Sequence, residues 1–186
     1  MASTLHVLGI AGSLRKGSYN AAALRAAQAL APEGVAIEAA EIGDIPLYDE
    51  DVRAQGFPAP VQRFRNAIAD ADALLFVTPE YNFSVPGVLK NAIDWASRPP
   101  DQPFDDKPTA IMGASPGLFG TARAQYHLRQ ILGGLNAQLL NKPEVMIREA
   151  KSRFDEAGNL TDEATRAHVR KLLEALAAWT RRLRGA

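Results

Sequence analysis

The run Ala73-Leu-Leu-Phe-Val-Thr78 is apolar at five consecutive positions and stops at Pro79. A strand with one wet face alternates apolar and polar residues, whereas a strand buried on both faces reads as an unbroken apolar run. Proline has no N–H with which to extend a central ladder. The run therefore predicts an interior strand of a sheet that is covered on both sides. Similar short stretches occupy residues 5–10, 35–39 and 109–114, and residues 137–140 and 145–147 read as fragments of a fifth strand or its continuation. Helical patterns fall between them, at residues 18–30, 61–71, 88–96 and 121–132. A last helix carries the stripe Val169, Leu172, Leu173 and Leu176, with Thr161 expected as its cap and Asp162 and Glu163 in its first turn. Strands alternating with helices predict an α/β three-layer sandwich, a five-stranded parallel sheet with helices on both faces, in one domain over residues 1–186. Asp49-Glu50-Asp51 reads as a solvated loop, residues 154–160 as a turn on Gly158-Asn159, and Trp95 as core.

Composition narrows the chemistry. Lys plus Arg and Asp plus Glu both number 21, so the formal net charge is zero, which speaks against broad nucleic-acid binding. The chain has no cysteine, which excludes disulfides, thiol catalysis and thiolate metal ligands. The three histidines, His6, His127 and His168, have no metal-ligand spacing. No metal site is expected, and any redox chemistry needs a bound cofactor. No apolar run approaches a membrane span or fits a secretory signal, so a cytoplasmic location without membrane association is expected.

In a doubly wound sheet, ligands bind beyond the C-terminal strand ends. The three most unusual loops follow the first, third and fourth strands and so share that edge. The first is Gly12-Ser-Leu-Arg-Lys-Gly-Ser-Tyr-Asn20. A helix start offers free N–H groups and partial positive charge, which suits a phosphate. Ser13 and Ser18 add hydroxyls, Asn20 an amide and Arg15 a charged donor. Gly12 and Gly17 have the G-x-x-x-x-G spacing of a nucleoside triphosphate loop, but Ser18 and Tyr19 stand where that loop needs Lys and then Ser or Thr. The G-x-G-x-x-G dinucleotide pattern fails as well. A terminal monophosphate is the better guest.

The second loop, residues 78–87, is held at both ends by Pro79 and Pro86 and carries Tyr81, Asn82 and Phe83, flat surfaces and an amide suited to a heterocycle. The third, Ser115-Pro-Gly-Leu-Phe-Gly120, allows close backbone approach to a planar ligand.

Together, Gly12-Ser-Leu-Arg-Lys-Gly-Ser-Tyr-Asn20, Pro79-Glu-Tyr-Asn82 and Ser84-Val-Pro-Gly-Val-Leu-Lys-Asn-Ala-Ile-Asp-Trp95 closely resemble the NADPH-dependent FMN reductase family, in its bacterial quinone and chromate reductase branch. The likeness continues through residues 115–120, the segment 122–130 and Asn141-Lys-Pro-Glu144, and so spans nearly the whole chain. It implies a flavodoxin-like fold holding one FMN noncovalently. Ser13, Arg15, Ser18, Tyr19 and Asn20 would surround the phosphate. Pro79, Glu80, Tyr81 and Asn82 would line the isoalloxazine, with Ser115 and Gly117 at its other edge. The implied reaction passes a hydride from NADPH or NADH through FMN to a small acceptor: a quinone, chromate, an azo compound or free flavin. It requires no catalytic acid–base side chain. Family members are homodimers or homotetramers with the flavin near an interface. A flavodoxin-type electron carrier and a non-catalytic FMN-binding protein are the competing expectations.

Overall fold

The computed structural model describes residues 4–185. Strand β1 (Leu5–Ala11) leads into helix α1 (Tyr19–Ala29), followed by β2 (Val35–Ala39). A short helix α2 (Glu50–Arg53) precedes α3 (Ala59–Asp70) and β3 (Ala73–Val77). Then come α4 (Gly87–Ala96), β4 (Pro108–Ala114), α5 (Ala122–Gly134), β5 (Gln138–Leu139), β6 (Val145–Ile147) and α6 (Glu163–Leu183). The sheet runs β2-β1-β3-β4, with both β5 and β6 beside β4, and every pairing is parallel.

The two predicted fragments therefore form one interrupted fifth strand. Gln138 and Leu139 pair with the start of β4, and Val145 to Ile147 pair with its end. Pro143 lies in the interruption, where it withholds no ladder hydrogen bond. All five residues of β3 are buried, as the unbroken apolar run requires. Helices α1 and α6 pack on one face of the sheet around Val7, Leu75, Val77 and Met112. Helices α3, α4 and α5 cover the other face around Leu8, Ile10, Leu74 and Phe76. Trp95 is fully buried there, and its Nε1 donates to the Pro46 carbonyl at 2.9 Å. Buried Arg65 is satisfied by main-chain carbonyls of the 96–101 segment, including Arg98 O at 2.7 Å.

Two local expectations are corrected. Asp49-Glu50-Asp51 does not form a solvated loop but opens α2. The Asp49 carboxylate accepts from Asp51 N at 2.8 Å, and Glu50 and Asp51 sit in the first turn, where acidic residues are favoured. The cap of α6 is Asp162 rather than Thr161: its Oδ1 accepts from Thr165 N at 2.9 Å. Thr161 stands one residue outside and bonds the Arg153 carbonyl. The turn on Gly158-Asn159 is present, closed by a bridge between Phe154 and Leu160 with Gly158 at φ 79°. No helix among the described residues is long and apolar enough to cross a membrane.

Glycine is mandatory at one point of β4. A Cβ on Gly113 would lie 2.1 Å from Thr121 Oγ1 and 2.2 Å from the Thr78 carbonyl, both in buried residues. Gly87, the first residue of α4, has nothing within 4 Å of such an atom. We expect Gly113→Ala to lose about 2–3 kcal/mol or more of unfolding free energy, because the carbonyl cannot retreat. Gly87→Ala should hold or gain about 0.5 kcal/mol through a less flexible unfolded chain. Urea unfolding of the two variants measures the contrast, and equal midpoints would contradict this packing.

Candidate functional site

Strand β1 has β2 on one side and β3 on the other, so the chain departs in opposite directions from adjacent strands. A crevice opens between their C-terminal ends. The loop after β1 enters it under tight restraint. Gly12 N donates to Val77 O at 2.9 Å, and a Cβ there would stand 3.0 Å from Leu89 and 3.2 Å from Pro79. Ser18 then caps α1, its Oγ accepting from Asn20 N at 3.2 Å and Ala21 N at 3.3 Å. The hydroxyl proton remains available for donation. Among the described residues, the N–H groups of Ser13, Lys16, Gly17 and Tyr19 have no acceptor within the chain. They crowd around the positive end of α1 beside the exposed Arg15, whose guanidinium lies 5.9 Å from the Tyr19 ring. Tyr19 in turn packs on Phe154, with ring centroids 5.5 Å apart.

Asn20 has a different task from the one its sequence position suggested. Its Nδ2 donates to Ala114 O at 2.9 Å, and its Oδ1 accepts from Ala114 N at 2.8 Å. The register of β3 and β4 explains the need. Val77 lies opposite Met112, so Pro79 lies opposite Ala114. Thr78 is the residue that faces β4, its N–H donating to Met112 O at 2.9 Å, and the chain then turns away at Pro79, leaving the two polar groups of Ala114 without a ladder partner. The Asn20 amide supplies both. The side chain, expected as a free phosphate donor, is thus a bridge from α1 across the end of β3 to β4.

The loop after β3 is closed by a two-residue hairpin. Tyr81 and Ser84 exchange backbone hydrogen bonds at 3.1 and 3.0 Å, with Asn82 at φ 47° and Phe83 at φ 66° between them. Two consecutive positive φ angles give the turn that suits a hairpin's twist; Asn tolerates them, whereas a bulky Phe is strained. The Phe83 ring is held under the Arg123 guanidinium at 4.0 Å, and Phe119 lies 4.7 Å from the same cation. Glu80 fastens this arrangement. Its carboxylate accepts from Arg123 N at 3.1 Å, Ala124 N at 3.2 Å and Arg123 Nε at 2.6 Å. Thr121, the residue before α5, sits at φ 73° and provides no side-chain cap. Glu80 therefore caps α5 from another loop. It borders the crevice, but its charge is spent on the helix. Ser84 Oγ and His127 Nδ1, 3.0 Å apart, add a second tie to α5.

These loops enclose a cleft of about 220 Å³. Ser13, Arg15, Ser18, Tyr19, Asn20, Pro79, Glu80, Tyr81 and Ser115 all line it, nine of the eleven residues expected from the sequence. Asn82 and Gly117 do not: Asn82 forms the hairpin tip, and Gly117 turns its carbonyl to Glu149 N at 3.1 Å. Ala114 and Pro116 line the cleft without having been anticipated. Ala114 has no chemical signature in sequence, and Pro116 lay in plain view inside the third loop. Arg123 was missed as well, because only its stacking and ion pair mark it.

Residues 5–152 match the family model described as NADPH-dependent FMN reductase. The chain is 62% identical over 185 residues to the NAD(P)H-dependent FMN reductase of Pseudomonas aeruginosa, covering 100% of both chains. It is 46% identical over 187 residues to the quinone reductase of Escherichia coli, covering 99% of this chain and 100% of the other. Among solved structures it superposes on the flavoenzyme NAD(P)H:(acceptor) oxidoreductase FerB from Paracoccus denitrificans with a TM-score of 0.88 at 37% identity, over 96% and 98% of the two chains.

Removing the Asn20 amide orphans two groups of Ala114 at a buried site. We expect Asn20→Ala to cost about 3 kcal/mol of unfolding free energy, at roughly 1–3 kcal/mol per unsatisfied group. Urea unfolding checks this, and a loss under about 1 kcal/mol would mean that water replaces the bridge. Glu80→Ala removes a helix cap and an ion pair and should cost about 2 kcal/mol in the same assay.

Proposed function

The chain belongs to the NADPH-dependent FMN reductase family, and from that premise we propose that it binds FMN noncovalently in the cleft and passes reducing equivalents from NAD(P)H to a small acceptor such as a quinone. The observation that carries this reading is the meeting of three loops at one sheet edge: a phosphate-type helix start, an aromatic hairpin and a small-residue loop line the same cleft. The donor set fits FMN. The unpartnered N–H groups around residues 13–19, the Ser13 and Ser18 hydroxyls and the Arg15 guanidinium suit a dianionic monophosphate. The two positions after Gly17, where a triphosphate loop places its lysine and its magnesium-binding hydroxyl, hold Ser18 and Tyr19.

When bound, FMN supplies the hydride and electron chemistry, and the protein supplies position and electrostatics. Pro79 and Tyr81 would form one wall for the isoalloxazine, and Ser115 would bound its other edge. Asn20 and Glu80 act through the loops they tie together and hold those walls at a constant spacing. Tyr81 and Phe83 are 52% and 63% exposed, so the mouth remains open to flat acceptors of varied structure. Substrates of that kind are quinones, azo compounds and free flavins, with chromate as a small inorganic oxidant. The exposed Tyr81, Phe83 and Tyr126, joined through the tie between the hairpin and α5, also favour a homodimer or homotetramer with the mouth near the interface.

The purified protein should carry FMN in stoichiometric amount, and NADPH or NADH should bleach it directly under anaerobic conditions and reduce benzoquinone catalytically. Absence of flavin, with no activity after FMN is added, contradicts the proposal. Bleaching only through a partner reductase would identify an electron carrier instead. Arg15→Ala should weaken FMN binding about tenfold through loss of one charge-assisted contact, as read by fluorescence titration of the apoprotein.

A further inference from the structure

A second concavity, of about 600 Å³, lies on the outer side of the Ser115–Gly120 loop, between β6 and the start of α6. Its apolar wall is Leu118, Phe119 and Met146, and its polar wall is Arg148, Arg153 and His168. It adjoins the cleft directly. Glu149 N donates to Gly117 O at 3.1 Å, and Ala150 N donates to Ser115 O at 3.0 Å. The segment carrying Arg148 and Arg153 is therefore pinned to the loop whose Ser115 lines the cleft, and the two sites share one wall.

The charges in the groove are unequally satisfied. Arg153 is paired with Asp162 at 2.8 Å, Glu144 with Lys142 at 2.9 Å, and Glu163 with Arg166 at 2.9 Å. The Lys142 ammonium and, more weakly, the Tyr126 hydroxyl hold the Glu144 carboxyl below the usual range, so it is ionised but already matched. Arg148 has only Glu149, at the 4.0 Å limit of an ion pair, with both side chains exposed. His168 faces the same space, beside the start of α6, which the Asp162 carboxylate caps. Arg148 thus stands at one end of the groove as its most weakly paired cation. At the other, Leu118 and Phe119 present apolar surface that is 69% and 64% exposed.

We propose that this groove holds the adenosine half of NADPH, with the adenine against Leu118 and Phe119 and the 2′-phosphate at Arg148 and His168. The inference rests on the oxidoreductase reading above and deepens it by assigning residues that select NADPH over NADH. A nucleotide whose nicotinamide lies in the cleft must run its other half past a rim of the cleft. The Ser115–Gly120 rim offers the exposed apolar surface of Leu118 and Phe119 and leads to the weakly paired Arg148. The groove's volume falls within the range of small-ligand sites.

The test uses the FMN-loaded protein and its Arg148→Ala variant, with FMN content confirming that the variant is folded. Calorimetric titration with 2′,5′-ADP should show binding that weakens about tenfold in the variant, the worth of one charge-assisted phosphate contact. Titration with 5′-ADP, which lacks the 2′-phosphate, should give the same affinity for both proteins. In steady state, the ratio of kcat/KM for NADPH over NADH should fall about tenfold in the variant. Equal effects on both nicotinamides, or 2′,5′-ADP binding indifferent to Arg148, would overturn the proposal and leave the oxidoreductase reading intact. Competition by millimolar inorganic phosphate equal to that by 2′,5′-ADP would also overturn it, by showing a general anion site. If the protein proves inactive with either nicotinamide, the oxidoreductase reading fails, while the 2′,5′-ADP titration still decides the groove.

Discussion

The amide of Asn20 and the backbone of Ala114 form the interaction on which the rest of the site depends. A parallel sheet that opens a binding crevice must end its ladder somewhere, and the ending exposes main-chain groups that cannot be left dry. Here the chain leaves the sheet after Thr78, and the orphaned groups of β4 are taken by a side chain from the start of α1. One pair of hydrogen bonds thereby welds the phosphate-type loop to the loop after β4. The two walls of the cleft are parts of one body even though ninety-four positions separate the bonded residues in sequence.

Glu80 repeats the principle one loop further on. Thr121 occupies the cap position of α5 in a left-handed conformation and gives the helix no side-chain oxygen. The carboxylate that does so comes from the loop after β3 and also grips Arg123, which lies between Phe83 and Phe119. The strained φ of Phe83 persists because this packing over-determines it. Each loop at the sheet edge is thus completed by a residue of another.

That reciprocity also explains what the sequence could and could not disclose. Unbroken apolar runs locate β1, β3 and β4 closely, because burial on two faces is written into nearly every residue of such a strand, whereas β2 is a largely exposed edge strand read from a shorter pattern. The loop after β1 is legible from its density of donors between a strand and a helix. Asn20 and Glu80 were recognisable as members of the site, yet their jobs were not, since each is defined by a partner far along the chain. The split of the fifth strand was visible only as two fragments, for the pairing of both with β4 is a tertiary fact. The start of α2 was missed for the opposite reason: three consecutive acidic residues suggest solvent, whereas Asp49 closes a local turn whose logic needs only its own neighbours.

The hairpin of Tyr81 to Ser84 uses two connecting residues, about the shortest link with which a chain can reverse direction. Such a link has no slack. Glu80 anchors one arm to α5 and Ser84 anchors the other, so an inserted residue could not be absorbed as a longer loop without breaking one of these anchors. Descendants of this chain that come to accept bulkier or more polar oxidants must do so by exchanging the side chains at positions 81 and 83. The outline of the mouth is fixed in backbone, and only its lining is open to revision.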